Sequence, residues 1–285
     1  MNQLLFKKTL SLVLCMCFFV LFGCNQANPV DTETQKDDTT ISESKVTSEL
    51  TSETTETTVT TTIKSETTFE SETQETKKTE VSNGEKLIAL TFDDGPHSAV
   101  TAQILDTLEK NGAKATFFVV GNRVDSCKNL LKRAHDLGCE IGSHTWSHKN
   151  LTKLTASQIQ DEMNKSVNAI SAVTGEPVKL MRPPEGGYND MVKQTLEYPM
   201  IMWSVDSMDW KYRDSKKDYN AVMDTVFDGS IILMHDLYPA TAEAVEKLIP
   251  DLMAKGYKFV TVSELMAARG YNMQKGRTYS QAKCR

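Results

Sequence analysis

The stretch Leu90–Pro96 reads LTFDDGP. It closes a short apolar run, Lys86–Phe92, that has the length and composition of a buried strand. Two adjacent carboxylates, Asp93 and Asp94, then meet a Gly-Pro turn. Like charges at a strand end repel each other and lose solvation, so a partner has to hold them there, or they are solvated turn residues. Downstream, short apolar runs alternate with amphipathic segments. The predicted strands are 87–92, 115–120, 140–143, 178–181, 200–205, 230–234 and 258–261. Between them lie helical patterns at 98–112, 156–175 and 239–256. The first has Ser98 as an N-cap candidate, and they stop at Gly112, Gly175 and Gly256. Such alternation predicts parallel strands with crossover helices, as a barrel or an open sheet, with chemistry at the carboxyl ends of the strands. The unusual polar residues follow that rule. Asp93-Asp94, His144, Arg182, Asp206 and His235 each follow a different predicted strand.

The 285 residues are of three kinds. Residues 1–24 carry Lys7 and Lys8, an apolar run and then Gly23-Cys24, the pattern of an export signal. Leu21-Phe22-Gly23-Cys24 resembles a bacterial lipobox, which makes Cys24 the lipidation site. An uncleaved membrane anchor is the competing reading. Residues 25–84 are Thr-, Ser- and Glu-rich, with 13 acidic and 5 basic residues. That composition predicts a disordered tether spanning roughly 40 Å. Residues 85–285 hold 25 acidic and 25 basic residues. This balance, without a basic stretch, argues against nucleic acid as a partner. Both readings of the N-terminus place the domain outside the cytoplasm, and the lipobox puts it on the outer face of the membrane, facing the cell wall. Cys127, Cys139 and Cys284 have no metal spacing. The exterior permits a disulfide among them but does not demand one.

SHTWSH (143–148) sets two histidines four residues apart, which on a helical turn share one face. With a carboxylate from Asp93-Asp94 they make a three-ligand metal site with open positions. One carboxylate is then a ligand, and the other is free to act as a general base on water.

TFDDGP (91–96), SHTWSH, RPPEGGYN (182–189), DSMDW (206–210) and ILMHD (232–236) occur in that order. Together they resemble the five motifs of polysaccharide deacetylases with a NodB homology domain, carbohydrate esterase family 4, over roughly residues 85–267. The resemblance implies a distorted (β/α) barrel of about seven units, and metal-dependent removal of acetyl groups from N-acetylated sugar polymers, or of O-acetyl groups from xylan. Carried over, it makes Asp93 the base and Asp94 the metal ligand with His144 and His148. Arg182 positions the base, His235 is the acid, and Asp206 orients that acid. Leu233 and Trp210 form the acetyl pocket. Glu185 stands where the family often has an aromatic residue; its N–H still serves the oxyanion, while its carboxylate can alter a sugar subsite. Tyr188 is either a sugar contact or a core residue, and His97 and His135, isolated from the motif positions, are read as structural or surface residues. Zinc is the default cation, with cobalt, nickel and other divalent ions open. N-acetylglucosamine of peptidoglycan is the leading substrate. Chitin, other acetylated exopolysaccharides and acetylxylan are alternatives, as is a non-catalytic carbohydrate-binding lipoprotein of the same fold. A nuclease or phosphatase would need further ligands or a basic phosphate site.

Overall fold

The computed structural model describes residues 84–283. The signal, Cys24, the tether up to residue 83 and Cys284 lie outside the described residues. The chain runs β1 (Lys86–Asp93), α1 (Val100–Asn111), β2 (Thr116–Val119), α2 (Lys128–Asp136), β3 (Glu140–Ser143), α3 (Ala156–Thr174) and α4 (Asp190–Thr195). It continues through β4 (Met200–Ile201), β5 (Val205–Asp206), α5 (Asp209–Tyr212), α6 (Ser215–Met223), β6 (Ile231–His235) and α7 (Pro239–Ala254). β7 (Tyr257–Phe259), α8 (Val262–Ala268) and β8 (Thr278–Tyr279) complete it.

The main sheet has the order β3-β2-β1-β6-β5, every pair parallel, with β7 also pairing β1. β4 pairs β8 in parallel. Single-residue bridges continue the ring. Met181 joins Ser143 on one side and Met200 on the other, and Ser230 meets Gln281. The sheet therefore curls into a distorted barrel, the α/β architecture that the alternating pattern and the resemblance imply.

Strand alternation sorts the core into two layers. Ile88, Leu90 and Phe92 of β1 face outward and pack with Ile104, Leu105 and Leu108 of α1 and with Val245, Leu248 and Ile249 of α7. Leu87 and Ala89 face inward with Phe118, Leu180, Ile201 and Ile231. Each fully buried Leu, Ile or Phe contributes about 1.5–3 kcal/mol of transfer free energy. The same alternation turns Thr91 and Asp93 inward, so a polar pair stands at the top of an apolar interior.

Three local expectations differ from the structure. Residues 178–181 form no strand beyond the Met181 bridge. The run 200–205 breaks into β4 and β5 because Arg182 takes the carbonyls at the break, with Nε donating to Ile201 O (2.9 Å) and Nη2 to Met202 O (3.1 Å). A continuing strand would have offered those acceptors to its neighbour. At α1, Ser98 is not the cap. His97 Nδ1 accepts the N–H groups of Ala99 (3.3 Å) and Val100 (3.2 Å), which gives that isolated histidine a structural task. α3 starts with a full capping box, Thr155 with Gln158, and stops at Gly175 in the left-handed region (φ 74°). Cys139 is a small buried residue, its thiol pushed up to about 11 by burial, and Cys127 and Cys139 are both free thiols.

Candidate active site

Strand register builds the centre. β1 and β6 align so that Asp93 and His235 are direct cross-strand partners, and Asp206 is aligned with Leu233. Asp93 is 4 % exposed. Its Oδ1 accepts from Arg182 Nη1 at 2.7 Å, and the guanidinium is wholly buried. Nη1 also donates to Thr91 Oγ1 (2.8 Å), and the guanidinium carbon lies 4.3 Å from the Phe118 ring centroid. Burial pushes Arg182 below its ordinary pKa while Asp93 opposes the shift, and the group stays charged. The repulsion inherent in two adjacent carboxylates is thus met on one side by a buried cation.

Asp94 takes a left-handed backbone (φ 71°) ahead of the cis Gly95–Pro96 bond. Its Oδ1 lies 3.4 Å from His144 Nε2 and 3.1 Å from His148 Nε2. The three ligand atoms fall within 4.8 Å of one another. The two histidines do not share a helical turn, contrary to the sequence expectation. They flank an irregular loop with left-handed residues at Thr145 (φ 68°) and His148 (φ 56°), and their ring centroids are 4.9 Å apart. Glu162 of α3 pins this loop through Ser147 N–H (2.8 Å) and Ser147 Oγ (2.7 Å).

Burial opposes the charge on Asp94, but His144 and His148 outweigh it and hold the carboxyl well below the usual range. Asp94 in turn raises His148 against the lowering effect of burial. His144 Nδ1 is 2.8 Å from Arg182 O. A carbonyl only accepts, so Nδ1 donates to it, and this bond turns the ring with Nε2 toward Asp94, the orientation in which Nε2 can ligate a cation. Asp94 Oδ1 is buried and accepts no hydrogen bond. Two imidazole Nε2 atoms and a buried carboxylate oxygen gathered at one point fit a divalent cation, and the Asp-His-His donor set is one that such ions accept.

Opposite, His235 Nδ1 meets Asp209 Oδ1 at 2.7 Å, and His235 N–H donates to Asp209 Oδ2 at 2.7 Å. Thr241 Oγ1 donates to the same Oδ2 (2.8 Å). Burial lowers His235, but the Asp209 bond and charge, with Asp93 and Asp94 beyond, push it up to about 9. Asp209 is therefore the carboxylate that orients His235, and the expectation for Asp206 is corrected. Asp206 Oδ1 accepts the Met208 N–H (2.8 Å), closing the tight turn that swings Asp209 under the histidine. DSMDW holds both acids, and nothing in the spacing of the two separates the one that closes the turn from the one that meets the histidine.

Asp93, Asp94, His144, His148, Asp206 and His235 line one cavity of about 400 Å³, with Glu185, Trp203, Trp210 and Leu233 on its walls. Trp203 is a wall that the sequence does not mark: it lies inside the predicted strand 200–205, and only the break between β4 and β5 brings it to the cavity. Glu185 (φ 57°) is held by Asn150 Nδ2 at 2.8 Å. Tyr188 is neither a core residue nor a wall of this cavity. The chain turns away at Glu185 and Gly186, and Tyr188 is exposed with Lys193 Nζ 5.1 Å from its ring centre. A second hollow of about 430 Å³ includes His135, Cys139 and Glu140, far from these groups. Its Glu140 carboxylate is already bonded by Ser263 and Thr116.

A carboxylate with a buried cation, a histidine with a buried carboxylate, and a three-ligand metal cradle between them define a metal-assisted hydrolytic centre on an α/β barrel. Comparison with known proteins narrows this. Residues 80–200 match the family model described as polysaccharide deacetylase. The peptidoglycan-N-acetylglucosamine deacetylase PgdA of Listeria monocytogenes is 42 % identical over 194 residues, 68 % of this chain and 41 % of PgdA. The solved structure of peptidoglycan deacetylase PdaC from Bacillus subtilis is 41 % identical with a TM-score of 0.65, over 66 % of this chain and 93 % of that one. A family 4 acetyl xylan esterase from Clostridium thermocellum, solved with a cobalt ion, is 35 % identical with a TM-score of 0.66, over 69 % of this chain and 98 % of that one. The chain belongs to the polysaccharide deacetylase family. It spans about two-fifths of the full length of the curated relatives PgdA and PdaC.

Proposed function

We propose that the chain is a metal-dependent deacetylase of N-acetylated cell-wall glycan, with N-acetylglucosamine of peptidoglycan as its first substrate. The observation that carries this is the alignment of Asp93 and His235 across β1 and β6, each with its own buried counter-ion, beside the Asp94-His144-His148 cradle. A divalent cation held by that cradle supplies the charge that acidifies a water and polarises the acetyl oxygen. Asp93, oriented by Arg182, takes the proton from the attacking water. The Glu185 N–H faces the developing oxyanion. His235, oriented by Asp209, delivers a proton from Nε2 to the departing amine, and acetate and a free amino sugar result. Leu233, Trp203 and Trp210 offer apolar walls to the acetyl methyl.

Zinc is the cation we assign first; cobalt and nickel satisfy the same donors. The intact set of base, acid and ligands argues against a binding-only protein. An O-acetyl esterase is the second reading, favoured by the likeness to the acetyl xylan esterase. The test is acetate release by the full-length, metal-loaded chain on peptidoglycan, chitin oligomers and acetylxylan. Release from acetylxylan alone would overturn the amidase assignment. Location is part of the same proposal. Lipid attached at Cys24 holds the enzyme on the outer face of the membrane, with 25–84 as tether and 85–285 as the deacetylase domain. Cys24→Ala is expected to abolish incorporation of labelled lipid and to release the protein from membranes; equal labelling of the variant would refute it.

A further inference from the structure

The balanced charge of the domain conceals a local surplus next to the cavity. The seven residues Lys211–Lys217 carry four cations and a single acid, Asp214. All four cations are exposed, and among the described residues none forms a salt bridge within 4 Å. Asp214 Oδ1 is already engaged, accepting the Lys217 N–H that caps α6 (3.0 Å). Asp218 lies beneath, wholly buried, and burial with Asp209 and Asp214 nearby pushes it up to about 7, so it opposes the surplus only weakly.

The cations are arranged, not scattered. Lys211 Nζ and Lys217 Nζ both stand 5.3 Å from the centre of the Tyr212 ring. The Arg213 guanidinium carbon stands 4.6 Å from the Tyr238 ring centre, and that ring is 6.2 Å from His235. Arg213 adopts a left-handed backbone (φ 48°), with its N–H donating to the backbone carbonyl of Asp209 at 3.0 Å, so its position is tied to the turn that carries Asp209. Trp210, 47 % exposed, and Tyr212, 43 % exposed, extend the cavity wall onto this platform. Cations gathered on one surface without salt-bridge partners repel each other, and an anion bound among them relieves that repulsion. Exposed aromatic faces take sugar rings, while the flanking cations take carboxylates. The cavity itself is lined by Asp93, Asp94, Asp206 and Glu185, which turn an anion away from the reacting position.

We propose that the platform of Lys211, Arg213 and Lys217 binds carboxylates carried by the glycan beside the reacting sugar, so that the preferred substrate is a carboxylate-bearing strand and not a neutral N-acetylglucosamine homopolymer. The inference rests on the deacetylase reading and adds its polymer preference. The test uses the full-length metal-loaded chain and its Lys211→Gln/Arg213→Gln/Lys217→Gln variant. Two substrates are matched in sugar number, a peptide-bearing peptidoglycan fragment and a chitin oligomer. A third arm is the same fragment with its peptide carboxylates amidated. Exposed pairs are individually weak, so three together are expected to lower the ratio of kcat/KM for the anionic over the neutral substrate by about tenfold. Salt raised to about 0.3 M is expected to erode the same ratio in the unmodified chain. Amidation that reproduces the variant's loss assigns the contact to peptide carboxylates. Amidation without effect, with the ratio still falling in the variant, shows that the platform engages no carboxylate of the strand, because the lactyl carboxyl is already tied up as an amide to the peptide, and overturns the proposal. A ratio unmoved in the variant, or equal losses on both substrates, overturns the proposal while the deacetylase reading stands. Failure of the unmodified chain on both substrates overturns that reading and this inference with it.

Discussion

Replacing Asp209 with Asn tests how the acid is made. The substitution keeps the shape of the side chain and removes its charge from beneath His235. Asp209 accepts from the His235 backbone N–H, His235 Nδ1, Thr241 Oγ1 and the Trp210 N–H, all at 2.7–2.8 Å. An amide offers one acceptor where four donors converge, so one side of the set becomes donor against donor. The expected loss of stability is about 1–3 kcal/mol. The larger signature is in titration. Against burial, which lowers it, the Asp209 bond and charge help push His235 from an ordinary 6.5 to about 9. That difference corresponds to roughly 3 kcal/mol favouring the protonated imidazole. Without the charge, burial prevails and the midpoint is expected near or below the ordinary value. The sign follows for stability as well. A raised histidine stabilises the fold fully below the unfolded pKa of about 6.5, and the contribution is lost as pH rises through about 9. The unmodified protein should therefore lose stability across that interval, and Asp209→Asn should stay nearly flat. A cation in the cradle lowers both midpoints, so the variant is compared with the parent in the same metal state. The assay is NMR titration of His235 in the metal-free protein, beside the alkaline limb of kcat in the loaded one. A midpoint and limb that do not move would refute the assignment of Asp209 as the group that raises the acid.

Asp93→Asn leaves Asp94, His144 and His148 in place, so the variant is expected to bind metal normally by mass spectrometry and to lose about 10²–10⁴ in kcat. It also leaves the Arg182 cation without its anion, and a measurably lower melting temperature should accompany the loss. His235→Ala should retain metal and fall further on N-acetyl than on O-acetyl substrates, because an alkoxide leaving group needs protonation less than an amine; equal losses by acetate assay would contradict the acid role.

Much of this site is legible in the sequence because parallel strands deliver residues to one end. Asp93, Asp94, His144, Arg182 and His235 follow successive apolar runs, and the structure brings them together at one end of the barrel. What the sequence hides depends on irregular backbone. Two histidines four apart suggest a helical turn, whereas the pairing arises from left-handed residues in a loop pinned by Glu162. DSMDW offers two acids, and only the turn closed by Asp206 places the second under His235. β4 and β8 are two residues each, too short to carry a period, and Met181 contributes a bridge where a strand was expected. The Lys211–Lys217 surplus vanishes in the domain's net charge and becomes visible only beside Trp210 and Tyr238.

The central claim is that the Asp94-His144-His148 cradle holds the ion on which acetate release depends. Its most direct test is to strip the full-length protein with a chelator and titrate zinc or cobalt back while following acetate release from peptidoglycan. Activity should be absent at the start, rise in proportion to added metal, and saturate near one ion per chain, with Asp94→Asn shifting saturation to far higher metal. Undiminished release by the stripped protein, or saturation unaltered in Asp94→Asn, would contradict it.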